Sequence, residues 1–181
     1  MDIGNLLVAT PSIIGDFNFH RSVIILTNYK SSGSLGLILN KKLEYTLGEV
    51  MEGVKSNFPL FFGGPIEQDN LFYIHTLGDN ISNSIPISKK LYWSGDFKDV
   101  IDLLKKGELT QENIRFFLGY SGWTKGQLEL EINEKSWEPF EFKSTLELLK
   151  IPAIDMWREC MIALGGQYLI WLNTPENPNA N

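Results

Sequence analysis

Five consecutive residues, Gly119-Tyr120-Ser121-Gly122-Trp123, come within one position of a nucleophile elbow. That motif needs G-x-S-x-G, because glycines on both sides relieve the crowding around a strained serine. Here the second glycine falls one position early and Trp123 fills a place that must be small, so a tight strand-to-helix turn accounts for the segment better than a nucleophilic Ser121. Gly63-Gly64-Pro65 can offer backbone amides to an anion, but no P-loop lysine and hydroxyl follow it and no dinucleotide fingerprint is present. His75 ends an apolar run, where an imidazole serves as general base, metal ligand or hydrogen-bonded core group. With His20 as the one other histidine and no H-E-x-x-H spacing, the core role is preferred and no metal site is expected. Asp16 and Arg21 flank four residues and can pair across a loop. Glu129 and Glu131 point apart if they share a helix, so they read as solvated charge. Cys160 falls on an apolar helical stripe and reads as a small buried hydrophobe.

The elements that must position these groups follow from the pattern. Residues 3 to 14 carry Gly4 and Pro11 around an apolar stretch, which fits an irregular or edge segment. Ser22–Thr27 and Leu35–Asn40 form a strand pair across a Ser/Gly turn. Thr46 and Glu49 have capping-box spacing, so a short helix over 47–54 follows. Further strands are expected at Pro59–Phe62, Leu71–Thr76, Ile85–Ile87 and Leu91–Trp93. Phe97, Val100, Ile101 and Leu104 then repeat at helical spacing and stop at Gly107. Ile114–Tyr120 reads as a buried strand, and Thr124 and Gln127 cap a helix through Leu128, Leu130 and Ile132. Trp137–Phe142 alternates as an edge strand with Pro139 in it, and Ser144 with Glu147 opens another short helix. A last helix from 154 ends at Gly165-Gly166, and Gln167–Leu172 reads as a buried strand. Short strands in hairpin-like runs, without regular βαβ alternation, give one α+β domain over 1–172 and a flexible polar tail over 173–181.

Composition sets the limits. A chain of 181 residues with 43% hydrophobic and 21% charged residues can bury about 70% of its unfolded surface without help. One cysteine excludes an internal disulfide. No apolar run approaches the roughly 18 residues that cross a bilayer, and the N-terminus lacks the basic start of a secretory signal, so a cytoplasmic protein without a membrane role is expected. The net charge of −6 disfavours nucleic acid unless a basic face overrides it, and basic residues pair only as Lys41-Lys42, Lys89-Lys90 and Lys105-Lys106, with three arginines. No such face is visible in the linear order.

Several motifs in one order carry a resemblance. They are Gly4-Asn5-Leu6-Leu7-Val8-Ala9-x-Pro11, Asp16-x-x-Phe19-x-Arg21-Ser22-Val23, Gly33-x-x-Gly36-Leu37-Ile38-Leu39-Asn40-Lys41, Gly63-Gly64-Pro65, Leu71-x-x-x-His75 and Gly119-Tyr120-Ser121-Gly122-Trp123-x-x-Gly126-Gln127-Leu128-Glu129-x-Glu131. From about residue 3 to 172 the chain resembles the AlgH/YqgE family of bacterial proteins. The resemblance implies an α+β domain whose bifurcated mixed sheet curls into a pseudo-barrel with helices packed outside. For function it implies a family of uncharacterised activity labelled putative transcriptional regulator. The family motif tolerates alanine where Ser121 stands. Asp16, Arg21, Asn40, Gly63, Gly64, His75, Tyr120, Trp123 and Gln127 are the matching polar or special-backbone positions, and they are expected to converge on one ligand site.

Three functions compete. The first is a regulatory or protein-interaction module without catalysis, with no cofactor and an unknown protein partner or small molecule. The second is a small-molecule binding protein or enzyme centred on His75 and the Gly63-Gly64 turn. The third, resting on the family label, is transcriptional control through DNA.

Overall fold

Leu6-Leu7-Val8-Ala9 and Val23-Ile24-Ile25-Leu26 are buried without a break, because each strand has sheet on both edges and cover on both faces. Alternate residues serve two different cores. Leu6, Val8, Val23, Ile25, Leu37 and Leu39 enter one, and Leu7, Ala9, Ile24, Leu26 and Ile38 enter another. The computed structural model describes residues 1–13, 16–141 and 145–173.

In chain order the strands are β1 (Leu6–Ala9), β2 (Val23–Lys30), β3 (Gly33–Ile38), β4 (Lys42–Thr46), β5 (Pro59–Phe62), β6 (Ile66–His75), β7 (Ile85–Ser88), β8 (Leu91–Trp93), β9 (Ile114–Thr124) and β10 (Trp137–Phe140). The helices are α1 (Leu47–Val50), α2 (Phe97–Lys106), α3 (Gln127–Asn133), α4 (Thr145–Leu148) and α5 (Ala153–Leu164). The sheet runs β10-β1-β2-β3-β9-β6-β8-β7, with β4 and β5 branching from it. The fork lies on β9. Its end pairs with β3 at Ser121–Thr124, while Phe116–Leu118 pair in parallel with β5 and, on the other edge, antiparallel with β6. The sheet curls until Gly4 before β1 meets the backbone of Ile87 in β7, without closing. This is the expected bifurcated, mixed α+β pseudo-barrel.

Two helices pack outside, α2 over β5, β6 and β9, and α3 over β1–β3. The enclosed core is capped instead by α4 and α5, which put Leu148, Met156, Trp157, Cys160 and Met161 against Val8, Ile25, Leu39 and Phe117. Cys160 is the buried hydrophobe expected of it.

Four expectations need correction. β1 is an interior strand between β10 and β2, because Gly4 and Pro11 lie outside its four residues. The capping box forms as expected, but α1 ends after one turn, with the Met51 amide on the Leu47 carbonyl. Ser121 lies inside β9 and not in a strand-to-helix turn. Gly166–Asn173 is a 3₁₀ helix and not a buried strand. Gly165 and Gly166, both at positive φ, turn the chain back, and Tyr168, Trp171 and Leu172 pack at three- to four-residue spacing on the enclosed core while Ile170 stays exposed. A short apolar run satisfies either geometry, so pattern alone could not separate them. The expected start of α4 at Ser144, the strand end at Phe142 and the tail beyond Asn173 lie outside the described residues.

Candidate functional site

The β2 entry and the β3 exit are held side by side by one amide. Asn40 Oδ1 accepts the Val23 amide at 2.8 Å and Asn40 Nδ2 donates to the Arg21 carbonyl at 2.8 Å. The loop before it is wound by Asp16, whose side chain accepts the Asn18 amide and whose carbonyl accepts the Phe19 and His20 amides. Arg21 itself sits at φ +51, a left-handed conformation that costs a non-glycine residue roughly 1–2 kcal/mol. The guanidinium thereby lies over the Trp157 indole, 4.9 Å from its centroid. Trp157 is fixed in turn, because its Nε1 donates to the Ala9 carbonyl at 2.7 Å.

These groups open onto a cavity of about 510 Å³ lined by His20, Arg21, Asn40, Lys41, Trp157 and Arg158 together with the first turn of α5. The N-cap of that helix is Pro152, which makes no side-chain capping bond. The Lys41 ammonium reaches the Phe17 carbonyl. Burial pulls its pKa below the usual lysine value, opposed by the charge of Asp16. On the other side of Ala153 a second cavity of about 290 Å³ is lined by Arg115, Lys42 and Lys150. Arg115 is buried, donates to the Leu39 and Leu149 carbonyls at 2.9 and 3.0 Å, and lies over the Phe61 ring. Burial pulls its pKa down to about 10.

Arg21, Lys41 and Arg158 therefore line one cavity at the start of α5, and Lys42 and the buried Arg115 line the other. Arg115 is buried and its guanidinium is spent on two carbonyls, so the accessible cluster is the one at 21, 41 and 158, which comes together only through the fold. Acidic neighbours temper it: Asp155 lines the larger cavity, Glu112 lines the smaller, and Glu147 pairs with Lys150 at 3.2 Å.

The nine expected site residues do not share one locus. Asp16, Arg21 and Asn40 gather at the β2 entry. Gly63 and Gly64 fill the fork of the sheet, where the Gly63 amide donates to Leu118 and its carbonyl accepts from Ile38 and from Ser121 Oγ. A Cβ at Gly63 would stand 2.1 Å from the Gly119 oxygen. His75 pairs with Ile114, four residues along β9 from Leu118, about 13 Å at strand rise. The register of β9 thus separates His75 from the glycine fork.

His75 is fully buried. The Leu77 amide donates to Nδ1, which leaves the proton on Nε2, facing the Ser94 carbonyl at 3.1 Å and Ser84 Oγ at 3.0 Å. Its ring stacks on Tyr92, and burial pulls its pKa below the ordinary histidine value. Tyr120 packs edge-on to Phe72. Trp123 and Gln127 belong to a third group whose centre is Glu131, one carboxylate oxygen of which accepts both Trp123 Nε1 at 2.8 Å and Trp137 Nε1 at 2.7 Å. Gln127 bridges Glu131 to Thr124. Glu131 is thus a structural hub and not solvated charge, whereas Glu129 is exposed, as expected, and accepts the Tyr29 hydroxyl at the surface. Trp157, Arg158 and Lys41 are the cavity residues that sequence reasoning missed. Their one advance signal is the scarcity of arginine in an acidic chain. Among the described residues no three His, Cys, Asp or Glu side chains group as metal ligands, and no helix is long and apolar enough to cross a membrane.

The sequence profile of the family described as AlgH-like (DUF179) matches residues 6–169. The chain belongs to the AlgH-like family. A UPF0301 protein of Bacteroides thetaiotaomicron is 39% identical over 180 residues, covering 98% of this chain and 90% of that protein. Another from Chlorobium limicola is 37% identical over 180 residues, covering 98% and 95%. Among solved structures, the AlgH protein of Pseudomonas aeruginosa superposes with a TM-score of 0.74 at 24% identity, over 95% of this chain and 93% of that one. A Corynebacterium diphtheriae protein gives 0.76 at 21% identity, over 96% and 93%. These two establish the AlgH-like fold alone. The family is one of uncharacterised function, with no catalytic role attached to it.

Proposed function

We propose that this protein is a cytosolic binding module without chemistry of its own, and that its ligand enters the cavity between the β2 entry and α5. The observation that carries the reading is the convergence of Arg21, Asn40, Lys41, Trp157 and Arg158 on one cavity of about 510 Å³, within the range of small-molecule sites. The groups best suited to catalysis are engaged elsewhere. Ser121 Oγ donates to the Gly63 carbonyl, both His75 ring nitrogens are occupied, and burial raises the Cys160 thiol to about 12. The test is a thermal-shift screen of metabolites followed by amide-shift mapping. Hits that perturb Ala153, Ile154 and the Trp157 indole support the reading, and hits mapping only to other faces overturn it.

A protein partner is the second reading, favoured by Phe17 at 73% exposure and Ile154 at 82%, two large apolar side chains left in solvent near this cavity. Transcriptional control through DNA, the family label, has the cations at 21, 41 and 158 in its favour and the net charge of −6 against it. A duplex titration at two salt concentrations decides it, since phosphate contacts release counterions and give a steep salt slope.

A further inference from the structure

We infer that the ligand of the α5 cavity is a small molecule carrying a carboxylate or phosphate group on an apolar or planar body. The inference rests on the cavity being a binding site and specifies its ligand class. Three cations, Arg21, Lys41 and Arg158, line the space, drawn from the β2 entry, the β3 exit and the second turn of α5. They lie beside the first turn of a 12-residue helix whose N-cap, Pro152, brings no side-chain acceptor to it, so backbone amides and the helix dipole favour negative charge at the same end. The guanidinium is oriented, not merely nearby. Asn40 holds the Arg21 carbonyl, the left-handed backbone turns the residue, and the Trp157 ring supports the guanidinium plane at 4.9 Å. A planar fork presented this way matches an oxyanion.

Two carboxylates lie near the same space. Among the described residues Asp155 lines it and Asp16 acts on Lys41. The remaining wall is apolar, from Trp157, Leu172 and Ile154, the last 82% exposed. A bare inorganic ion leaves that wall in water, whereas a ligand with an aromatic or aliphatic body covers it.

The experiment is an amide-shift titration of the full chain at fixed ionic strength with inorganic phosphate, phenyl phosphate, benzoate and benzyl alcohol. Saturable shifts at Ala153, Ile154 and the Trp157 indole are expected with phenyl phosphate and with benzoate, tighter than with phosphate. The stronger of the two aromatic anions identifies phosphate or carboxylate as the preferred group. Arg21→Gln with Arg158→Gln is expected to weaken binding at least tenfold, and Arg158→Lys alone to retain most of it. If the double variant does not fold, Lys41→Gln, with the same expected direction, replaces it. Benzyl alcohol binding the cavity as well as phenyl phosphate overturns the anionic class and leaves the binding-module reading standing. Absence of shifts there with every probe overturns the inference, and the metabolite screen then decides the broader reading independently.

Discussion

Asn40 holds Arg21 by its carbonyl, at 2.8 Å, while its other amide atom holds the Val23 amide at the same distance. One side chain thus stitches the exit of β3 to the entry of β2 and fixes the left-handed residue that carries the guanidinium. Removing it strands a donor and an acceptor that are partly buried, at a cost of about 1–3 kcal/mol for each unsatisfied group. Asn40→Ala is expected to lower unfolding stability by about 2–3 kcal/mol in urea. Asn40→Asp should not rescue it, because a second oxygen then faces the Arg21 carbonyl where a donor is needed. Full recovery in the aspartate variant removes the stitch as an explanation.

Glu131 offers a second case of one side chain serving two partners. Its Oε2 accepts both indole N–H groups of Trp123 and Trp137, and its Oε1 accepts Gln127. The pair of indoles stands nearly perpendicular at 6.0 Å, so the carboxylate also sets their angle. Hydrogen bonds to a charged acceptor contribute about 1.5–3 kcal/mol each. Glu131→Ala is expected to cost about 3 kcal/mol and to red-shift tryptophan emission as the indoles meet water, with Glu131→Gln intermediate. An alanine variant with unchanged stability and emission shows the carboxylate to be incidental.

His75 yields a pH dependence whose sign is fixed. Its folded pKa lies below the unfolded value of about 6.5, because burial opposes the charged ring. Above that value neither state takes up the proton. Below it the unfolded chain binds a proton that the folded chain resists, so stability falls as pH drops from about 6.5 towards the lowered folded pKa, by at most about 1.4 kcal/mol per pH unit. His75→Gln should flatten this part of the profile while lowering stability at neutral pH. An identical slope in the variant assigns the dependence to other groups.

How much of this was legible differs between fold and site. Most of the strands, the edge position of Pro139 and the capping box at Thr46 were local, so adjacent residues carried their signals, whereas β4 was missed and the N-cap of α3 is Gly126 and not Thr124. The interior position of β1 was not, because both of its partners are distant in sequence: Trp137–Phe140 on one edge and Val23–Ile25 on the other. Glu131 was read as solvated charge because its indole partners arrive from β9 and β10. The cavity cations lie at 21, 41 and 158, and no window of sequence contains them all. The glycine fork was foreseen as a turn; that it is a close approach of three strands appears only when β9 pairs with β3, β5 and β6.

The same fork supports the sharpest substitution test. Gly64 has φ +151 and a Cβ there would stand 2.2 Å from the Tyr120 carbonyl carbon and 2.4 Å from the Ser121 nitrogen. Both are backbone atoms of an interior strand, so no side chain can swing away to make room, and the conformation is itself one that alanine resists. Gly107 also has positive φ, at +71, but a Cβ there meets nothing within 4 Å. Gly107→Ala should therefore cost about 1 kcal/mol, the conformational part alone. Gly64→Ala adds displacement of β9 from β5 and β6 and should cost more than about 3 kcal/mol or abolish folding. The decisive comparison is of urea midpoints for the two alanine variants. Similar small losses in both mean that β9 yields without penalty, and the packed fork is then not what requires glycine at 64.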